Sequence, residues 1–185
     1  VDNKADIGIP PEEGVAHGGR GCLRLSYLAR EGVFQQLSAT PLAAGQATTL
    51  SFWLKTDLPT NLSFGVVERG GAFYQQFAAI PADEWTCVWV PLTSLILSQD
   101  TTDLSGELEP ARIEEIRLAD LANLPGALGD ALGRKAGVHS LYLDDVAVSD
   151  RPAPPVGHGE ADALLADDFE RETMYALAIG DAFLR

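Results

Sequence analysis

Two acidic pairs, one on each side of a Pro- and Gly-rich segment, are the strongest candidates for metal chemistry in this sequence. The first pair interrupts the alternating apolar stretch from Leu141 to Asp150. Asp is depleted in β-strands, so these carboxylates lie either at a bulge that faces water or at a binding site. Calcium takes six to eight oxygen ligands. The expected Ca²⁺ ligands are Asp144, Asp145, Asp168, Glu170 and the Gly-rich loop at Gly18; the alternative is a solvated acidic patch.

Aromatic and amide side chains on the expected strands form a second set with binding chemistry. Aromatic faces stack on sugar rings, and amides hydrogen-bond hydroxyl groups. The repeats Phe34-Gln-Gln-Leu37 and Tyr74-Gln-Gln-Phe77 place amides on two adjacent strands. The alternative is that the aromatic rings belong to the core or contact a neighbouring subunit, because large aromatic residues are mostly buried. The expected glycan-binding residues are Trp53, Tyr74, Gln76, Trp89 and Arg117.

No residue pattern indicates catalysis. The three histidines, His17, His139 and His158, lie near glycines and none has a partner at metal-ligand spacing. A Gly-x-Ser-x-Gly elbow is absent from the sequence. The 27 acidic residues make some carboxylate pair inevitable, so a pair carries no signal for glycoside hydrolysis. We therefore expect a non-catalytic protein.

The charge and hydrophobic composition of the chain argue against nucleic acid and membrane partners. The formal net charge is −14, and so acidic a surface repels phosphate, which argues against nucleic acid. No run of 18 apolar residues is present, so we expect no membrane span. Cys22 and Cys87 fit either one disulfide or two buried thiols.

The hydrophobic pattern predicts an all-β fold. Eight or nine short strands are separated by turn signals, and the clearest runs from Thr48 to Thr56 with Leu50, Phe52 and Leu54 on one face. This spacing favours a β-sandwich or jelly roll over βαβ units, which need helices between strands.

The chain divides into four segments. Residues 1–13 read as an N-terminal arm, 14–149 as the sandwich, 150–160 as a Pro/Gly linker and 161–185 as an extra strand segment. Residues 161–185 are too apolar to stay exposed to solvent and too few to fold as an independent unit. The expected assembly residues of this segment are Leu164, Leu165, Phe169, Met174, Tyr175 and Leu177.

Five motifs in order along residues 14–149 resemble the galactose-binding-like jelly rolls, a superfamily that includes many non-catalytic carbohydrate-binding modules. They are Gly-Gly before an alternating strand (18–25), Leu-Ser-Phe-Trp-Leu-Lys (50–55), Trp-x-x-Val-x-Val-Pro-Leu (85–92), Ile-x-x-Ile-Arg-Leu (113–118) and Leu-Tyr-Leu-Asp-Asp-Val (141–146). The resemblance implies a structural calcium ion, held by an Asp-Phe-Glu first strand, loop carbonyls and an Asp of the last strand.

The chain departs from that pattern because its Asp168-Phe-Glu170 follows the last strand instead of preceding the first. The C-terminal segment is then a truncated second repeat, a strand folded back into its own sandwich, or a strand donated to a neighbouring copy. Donation is a form of β-augmentation that gives rings or filaments.

These observations together predict a secreted or cell-surface structural subunit. It would assemble with copies of itself through C-terminal strand donation, and Ca²⁺ would stabilise the joint. The alternative is a carbohydrate-binding module of a secreted glycan-active or cell-surface protein, with polysaccharide as its partner.

Overall fold

The computed structural model describes residues 6–8, 16–18, 21–32, 34–39, 45–121, 123–133, 135–150, 165–167 and 178–182. Within these residues twelve strands form two sheets, and every pairing between named strands is antiparallel. The expected all-β sandwich is confirmed. Among the described residues, no helix is long and apolar enough to cross a membrane.

The first sheet has β10 at its centre. Its order is β1 (Asp6–Gly8), β2 (Leu23–Ala29), β10 (Gly137–Ser149), β4 (Thr49–Thr56) and β7 (Thr86–Pro91), with β11 (Leu165–Asp167) also paired to β10.

The second sheet has β9 and β5 at its centre. Its order is β12 (Ala178–Ala182), β3 (Phe34–Ala39), β9 (Ile113–Asp120), β5 (Thr60–Glu68), β6 (Phe73–Ile80) and β8 (Ile96–Leu97). The connections contain two 3₁₀ turns, Leu92–Ser94 and Pro110–Arg112, and the short helix α1, Gly126–Ala131.

The core lies between the sheets and follows the two-residue alternation of the strands. Leu50, Phe52 and Leu54 are fully buried, as the sequence predicts. The ring of Phe52 meets the ring of Phe64 from the second sheet edge to face, with centroids 5.4 Å apart. Burial of such side chains at ~1.5–3 kcal/mol each holds the two sheets together.

Two short strands of the C-terminal segment pair with strands of the sandwich within the single chain. In β11, Leu165 lies opposite Val148 and Asp167 opposite Val146, while β12 pairs along β3. Whether the segment folds back in this way or is donated to a second copy stays a prediction. The other expected assembly residues, Leu164, Phe169, Met174, Tyr175 and Leu177, lie outside the described residues.

The two cysteines are free thiols, so the disulfide alternative is wrong. Cys22 is buried and Cys87 is half-buried. Burial, followed by the charge of Asp144, raises the pKa of Cys22 to about 12. Burial, followed by the charge of Asp145, also raises the pKa of Cys87. Both thiols therefore stay protonated at neutral pH.

Candidate functional site

The outer face of the second sheet carries a continuous row of residues from one edge towards the other. Ile96 lies opposite Gln75, Gln75 opposite Gly65, Gly65 opposite Arg117, and Arg117 opposite Ser38. This row crosses β8, β6, β5, β9 and β3. Because side chains alternate along a strand, these residues point away from the core on which Tyr74, Val66 and Leu118 pack.

Gly65 interrupts the row of side chains at the centre of the sheet. A Cβ atom at this position would lie 1.9 Å from the backbone oxygen of Tyr74, so only glycine fits against β6. Gly65 itself is buried, because the β6 backbone fills the space that a side chain would occupy, so no side chain projects between Gln75 and Arg117.

Polar side chains on β3 and β9 are fixed by one another. The Arg117 Nε atom donates to Glu115 Oε1 at 2.8 Å, and the Ser38 hydroxyl donates to the same oxygen at 2.7 Å. The Gln36 amide donates to the Ser38 hydroxyl oxygen at 3.2 Å. Burial alone would raise the pKa of Glu115, but the hydrogen bonds from Arg117 and Ser38 lower it below its usual value. The carboxylate is thus ionised and oriented.

Apolar surface lies beside these polar groups. The Phe77 ring is 57% exposed and Ile96 is 59% exposed. The Arg117 guanidinium carbon lies 5.0 Å from the centroid of Phe73. Ser63, opposite Phe77, donates its hydroxyl to Gln75 Oε1 at 2.8 Å. We call this surface the polar–aromatic face; it comprises Gln36, Ser38, Ser63, Phe73, Gln75, Phe77, Ile96, Glu115 and Arg117.

The polar–aromatic face combines the two properties that recognition of a neutral hydroxylated ring requires. Exposed ring and aliphatic surface can stack on apolar sugar faces, and amide, hydroxyl and guanidinium groups held by neighbours can exchange hydrogen bonds with hydroxyls. The Arg117 charge is balanced by Glu115, so the face does not select anions.

The outer face of the first sheet is organised differently, because chain segment 16–18 packs on it around Trp53 and Asp144. The His17 ring stacks on Trp53 with centroids 3.7 Å apart and planes 13° apart, and it meets the edge of Trp85 at 5.8 Å. One face of Trp53 is therefore already occupied by a side chain of the same protein, where the sequence predicted a glycan-binding ring.

The predicted metal ligands are partly brought together beneath this segment. Asp144 is fully buried and accepts the amides of His17 at 3.0 Å, Gly18 at 3.4 Å and Asp145 at 2.9 Å. Asp145 has φ +49° at a register shift in β10, so the pair does lie at a bulge. The amide of Gly18, and not its carbonyl, points towards Asp144.

The electrostatics of the acidic pair are unfavourable for two free carboxylates. Burial, and next the charge of Asp145, raise the pKa of Asp144 to about 7 against the opposing hydrogen bonds from backbone amides. Asp145 is contacted by His17 Nδ1 at 3.3 Å. Asp168 and Glu170 lie outside the described residues, and within the described part no three metal-ligating side chains meet. The Ca²⁺ site stays a prediction.

Four of the five predicted glycan-binding residues lie away from the polar–aromatic face. Tyr74 is in the core, 4% exposed, with its hydroxyl donating to Asp103 at 2.5 Å, so its assignment to an open platform is wrong. The Gln76 amide is held by Ser94, at 2.9 Å from its carbonyl oxygen and 3.1 Å from its hydroxyl. Only Arg117 of the predicted set lies on the face.

Trp89 and Tyr74 line a cleft of about 670 Å³ where the chain crosses from β7 to the second sheet. The cleft is also bordered by Leu92, Thr93 and Leu108. The indole N–H of Trp89 is buried without a hydrogen-bond acceptor among the described residues. The two predicted aromatic residues therefore line one cleft, and they do not share an open sheet face.

Sequence reasoning missed Phe73, Phe77, Ser63 and Glu115. In β6 both faces carry large apolar residues, so the alternation alone does not show which one is outside. A signal was present in β9, where charged Glu115 and Arg117 alternate with Ile116 and fix the polar side of that strand.

No protein-family model and no curated protein sequence matches this chain. Solved structures do match it. A family 11 carbohydrate-binding module of the cellulosomal cellulase Lic26A-Cel5E of Clostridium thermocellum is 14% identical, with a TM-score of 0.52 over 76% of this chain and 81% of that one. A family 11 module from the same organism, in complex with a β-1,3-1,4-mixed-linked tetrasaccharide, has the same identity and TM-score, over 76% and 82%.

An exo-β-agarase structure is also similar, with 14% identity and a TM-score of 0.53. The match covers 83% of this chain but only 24% of the agarase chain. At such identities the likeness concerns the fold. The resemblance found in the sequence is confirmed at that level: this chain has the jelly-roll β-sandwich fold of carbohydrate-binding modules.

Proposed function

We propose that the protein is a non-catalytic carbohydrate-binding module that acts outside the cell and holds a neutral polysaccharide on its polar–aromatic face. The observation that carries this proposal is the exposed Phe77 ring beside hydrogen-bonding groups that their neighbours already orient. Groups fixed before binding lose little conformational entropy when the ligand arrives.

The arrangement suggests how a sugar chain would lie. A pyranose ring stacks on Phe77, and its neighbours run past Gly65, where no side chain projects, towards Arg117. Gln75 and Arg117 flank Gly65 on β6 and β9, and their amide and guanidinium groups face the hydroxyls of the chain. The net charge of −14 repels acidic polysaccharides, which favours a neutral glycan.

The solved structures support this proposal and provide the first ligands to try. One carbohydrate-binding module with this fold holds a β-1,3-1,4-mixed-linked tetrasaccharide, and another structure with the fold is an exo-β-agarase. Mixed-linkage β-glucan and agarose are therefore the primary probes. A polyanion such as polygalacturonate is the negative control.

Affinity electrophoresis of the full chain in gels that contain each polysaccharide tests the proposal. Wild-type protein should be retarded by one neutral polysaccharide, and Phe77→Ala should lower the affinity about five- to 150-fold, since stacking and ring burial contribute ~1–3 kcal/mol. Leu128→Ala on α1 is the matched control, because Leu128 is 59% exposed and lies away from the face; it should bind as wild type.

Trp89→Ala distinguishes the polar–aromatic face from the edge cleft. If Trp89→Ala abolishes retention and Phe77→Ala does not, the binding site is the cleft and our assignment of the face is wrong. If no polysaccharide retards the wild-type protein, the carbohydrate-binding proposal itself fails.

A further inference from the structure

A buried network of charged side chains lies at the end of the sandwich where β10 begins. Lys135 is buried, and its ammonium group has three acceptors: Thr60 Oγ1 at 2.5 Å, His139 Nε2 at 2.9 Å and Asp120 Oδ2 at 3.3 Å. An ammonium group carries three N–H donors. Each donor therefore has one acceptor, and the ring of His139 supplies one of them.

The proton positions in the network follow from its donors. The Thr60 hydroxyl donates to the Leu58 carbonyl at 2.8 Å, so its oxygen is free to accept from Lys135. Because His139 Nε2 accepts from Lys135, the ring proton is on Nδ1, which contacts Asp57. His139 is fully buried. With a neutral imidazole, every donor of the Lys135 ammonium group has its own acceptor.

The network joins both sheets to the connection between β9 and β10. Asp120 ends β9, Thr60 begins β5, and His139 lies in β10. Tyr27 of β2 donates its hydroxyl to Asp120 and meets the His139 ring edge to face at 5.3 Å. Lys135 itself belongs to the connection, residues 121–136.

Further hydrogen bonds hold that connection in place around Lys135. The Lys135 amide donates to the Asn123 side chain at 3.3 Å, and the Gly32 amide donates to the Asn123 carbonyl at 2.7 Å. The Asn61 side-chain amide donates to the Leu132 carbonyl at 2.8 Å. The connection is thus fastened to β5 and to the end of β2 at points next to the network.

We infer that Lys135, His139, Asp57 and Asp120 form an acid-sensitive latch, in which protonation of His139 expels the Lys135 ammonium and frees the connection between β9 and β10. A proton on Nε2 would remove that acceptor from Lys135, and the new N–H would turn to Thr60 Oγ1 at 3.2 Å and Asp120 Oδ2 at 3.4 Å, the two acceptors that the ammonium already uses. Two cations would then lie side by side in a buried site, where such a repulsion is screened little.

The groups that face His139 are Asp57, Asp120, Lys135 and the Tyr27 hydroxyl, from every element packed against it in the described part of the chain. Burial of the ring, and next the charge of Lys135, lower the pKa of His139 below 6.5, although both aspartates oppose this. A lowered histidine pKa means that the unfolded chain binds the proton more tightly. Stability is therefore full above pH 6.5 and is lost as the pH falls below it.

Urea unfolding and hydrogen–deuterium exchange of the full chain at pH 7.5 and 5.5 test the latch. In the wild type the unfolding equilibrium constant should rise by up to about tenfold over this interval from this one site. The amides of Gly32, Lys135 and Ser140 should lose protection at pH 5.5, after correction for intrinsic exchange rates. In His139→Gln, whose amide does not titrate, the contribution of this site to both changes should disappear.

His17→Gln is the control for loss of a histidine elsewhere in the chain, and it should keep the loss of protection at Gly32, Lys135 and Ser140 at pH 5.5. Asp144, whose pKa is raised to about 7, contributes equally to the wild type and to His139→Gln, so their difference isolates His139. Equal pH profiles for these two proteins would overturn the inference.

A second measurement keeps the inference testable if His139→Gln does not fold. The pKa of His139 is read from its ring signals by NMR in the wild type and in Lys135→Met. It should lie below 6.5 in the wild type. Without the ammonium group, the ring faces Asp57 and Asp120 alone, so its pKa should rise. A wild-type His139 that titrates at or above 6.5 would contradict the latch.

Discussion

The two outer faces of the sandwich differ in what covers them. The first sheet carries Trp53 and the buried Asp144, but both are in contact with His17 from segment 16–18. The second sheet carries smaller rings, and Phe77 among them is exposed. The number and size of aromatic rings therefore do not mark a binding face. A ring is available to a ligand only where other parts of the chain leave it exposed.

The same difference appears in the carboxylates. Asp144 is buried beside a like charge, which leaves its pKa raised, whereas Glu115 has Arg117 and Ser38 as donors and its pKa is lowered. The Asp144–Asp145 pair is therefore stabilised when it binds a cation or a proton. Glu115 already has its hydrogen-bond donors, so it and its neighbours present fixed groups to a neutral ligand.

Removal of the C-terminal strands should have the largest effect. Truncation after Asp150 deletes β11 and β12, so residues 146–148 of β10 lose their partner on one side and β3 becomes an edge strand. At ~0.5–1.5 kcal/mol per hydrogen bond, we expect a loss of about 4 kcal/mol or more in the free energy of unfolding, measured with urea. Truncation after residue 177 removes only β12 and should weaken glycan binding through β3, which carries Gln36 and Ser38.

Sedimentation of the same truncated proteins addresses strand donation. If β11 and β12 pair within the chain, the wild type is a monomer and truncation lowers stability without changing the mass. A wild-type polymer that dissociates on truncation after Asp150 would show instead that neighbouring copies exchange the strands.

Calcium should affect the first sheet and leave the second unchanged. If Asp144 and Asp145 with the residues beyond Asp167 bind Ca²⁺, the ion adds about 2.7 kcal/mol at a hundredfold excess over its Kd, seen as a higher Tm that a chelator reverses. Asp144→Asn should abolish that shift, whereas Glu115→Gln should keep it. An unchanged Tm in millimolar Ca²⁺ would leave the acidic-patch interpretation.

The sequence was sufficient to predict the β-sandwich fold but not the position of the polar–aromatic face. The alternation of Leu50, Phe52 and Leu54 fixed the orientation of β4, since only one side of that strand is uniformly apolar. In β6 both sides carry apolar residues, and Tyr74 can pack in the core because its hydroxyl donates a hydrogen bond to Asp103. No local pattern reports that partner, which lies 29 positions away.

The latch was likewise invisible in the sequence. Lys135 lies in a connection rich in Gly, Ala and Leu, where a lysine suggests only a solvated surface. Its acceptors Thr60 and Asp120 are 75 and 15 positions away. Only the tertiary fold brings them together, because the turn before β5 and the end of β9 meet at one end of the sandwich.

Trp53→Ala should separate stability from binding. Its ring stacks on His17, so truncation should cost about 1–3 kcal/mol of unfolding free energy, which is the range for loss of a partly buried aromatic contact. Retardation in polysaccharide gels should stay as in the wild type. Loss of binding in a folded Trp53→Ala protein would move the site to the first sheet and reverse the comparison.

Ser63→Ala should have the smallest effect and tests how far orientation matters on the polar–aromatic face. The substitution removes the 2.8 Å hydrogen bond that holds Gln75 Oε1, so the amide of Gln75 gains rotational freedom that binding must then remove. We expect a two- to fivefold lower affinity, roughly 0.5–1 kcal/mol as for one immobilised side chain, with little change in Tm. Thr49→Ser on the first sheet is the control, since it keeps a hydroxyl next to Ser149. An affinity unchanged in Ser63→Ala would show that Gln75 is not a ligand contact, and that the Phe77 ring and Arg117 bind the sugar without it.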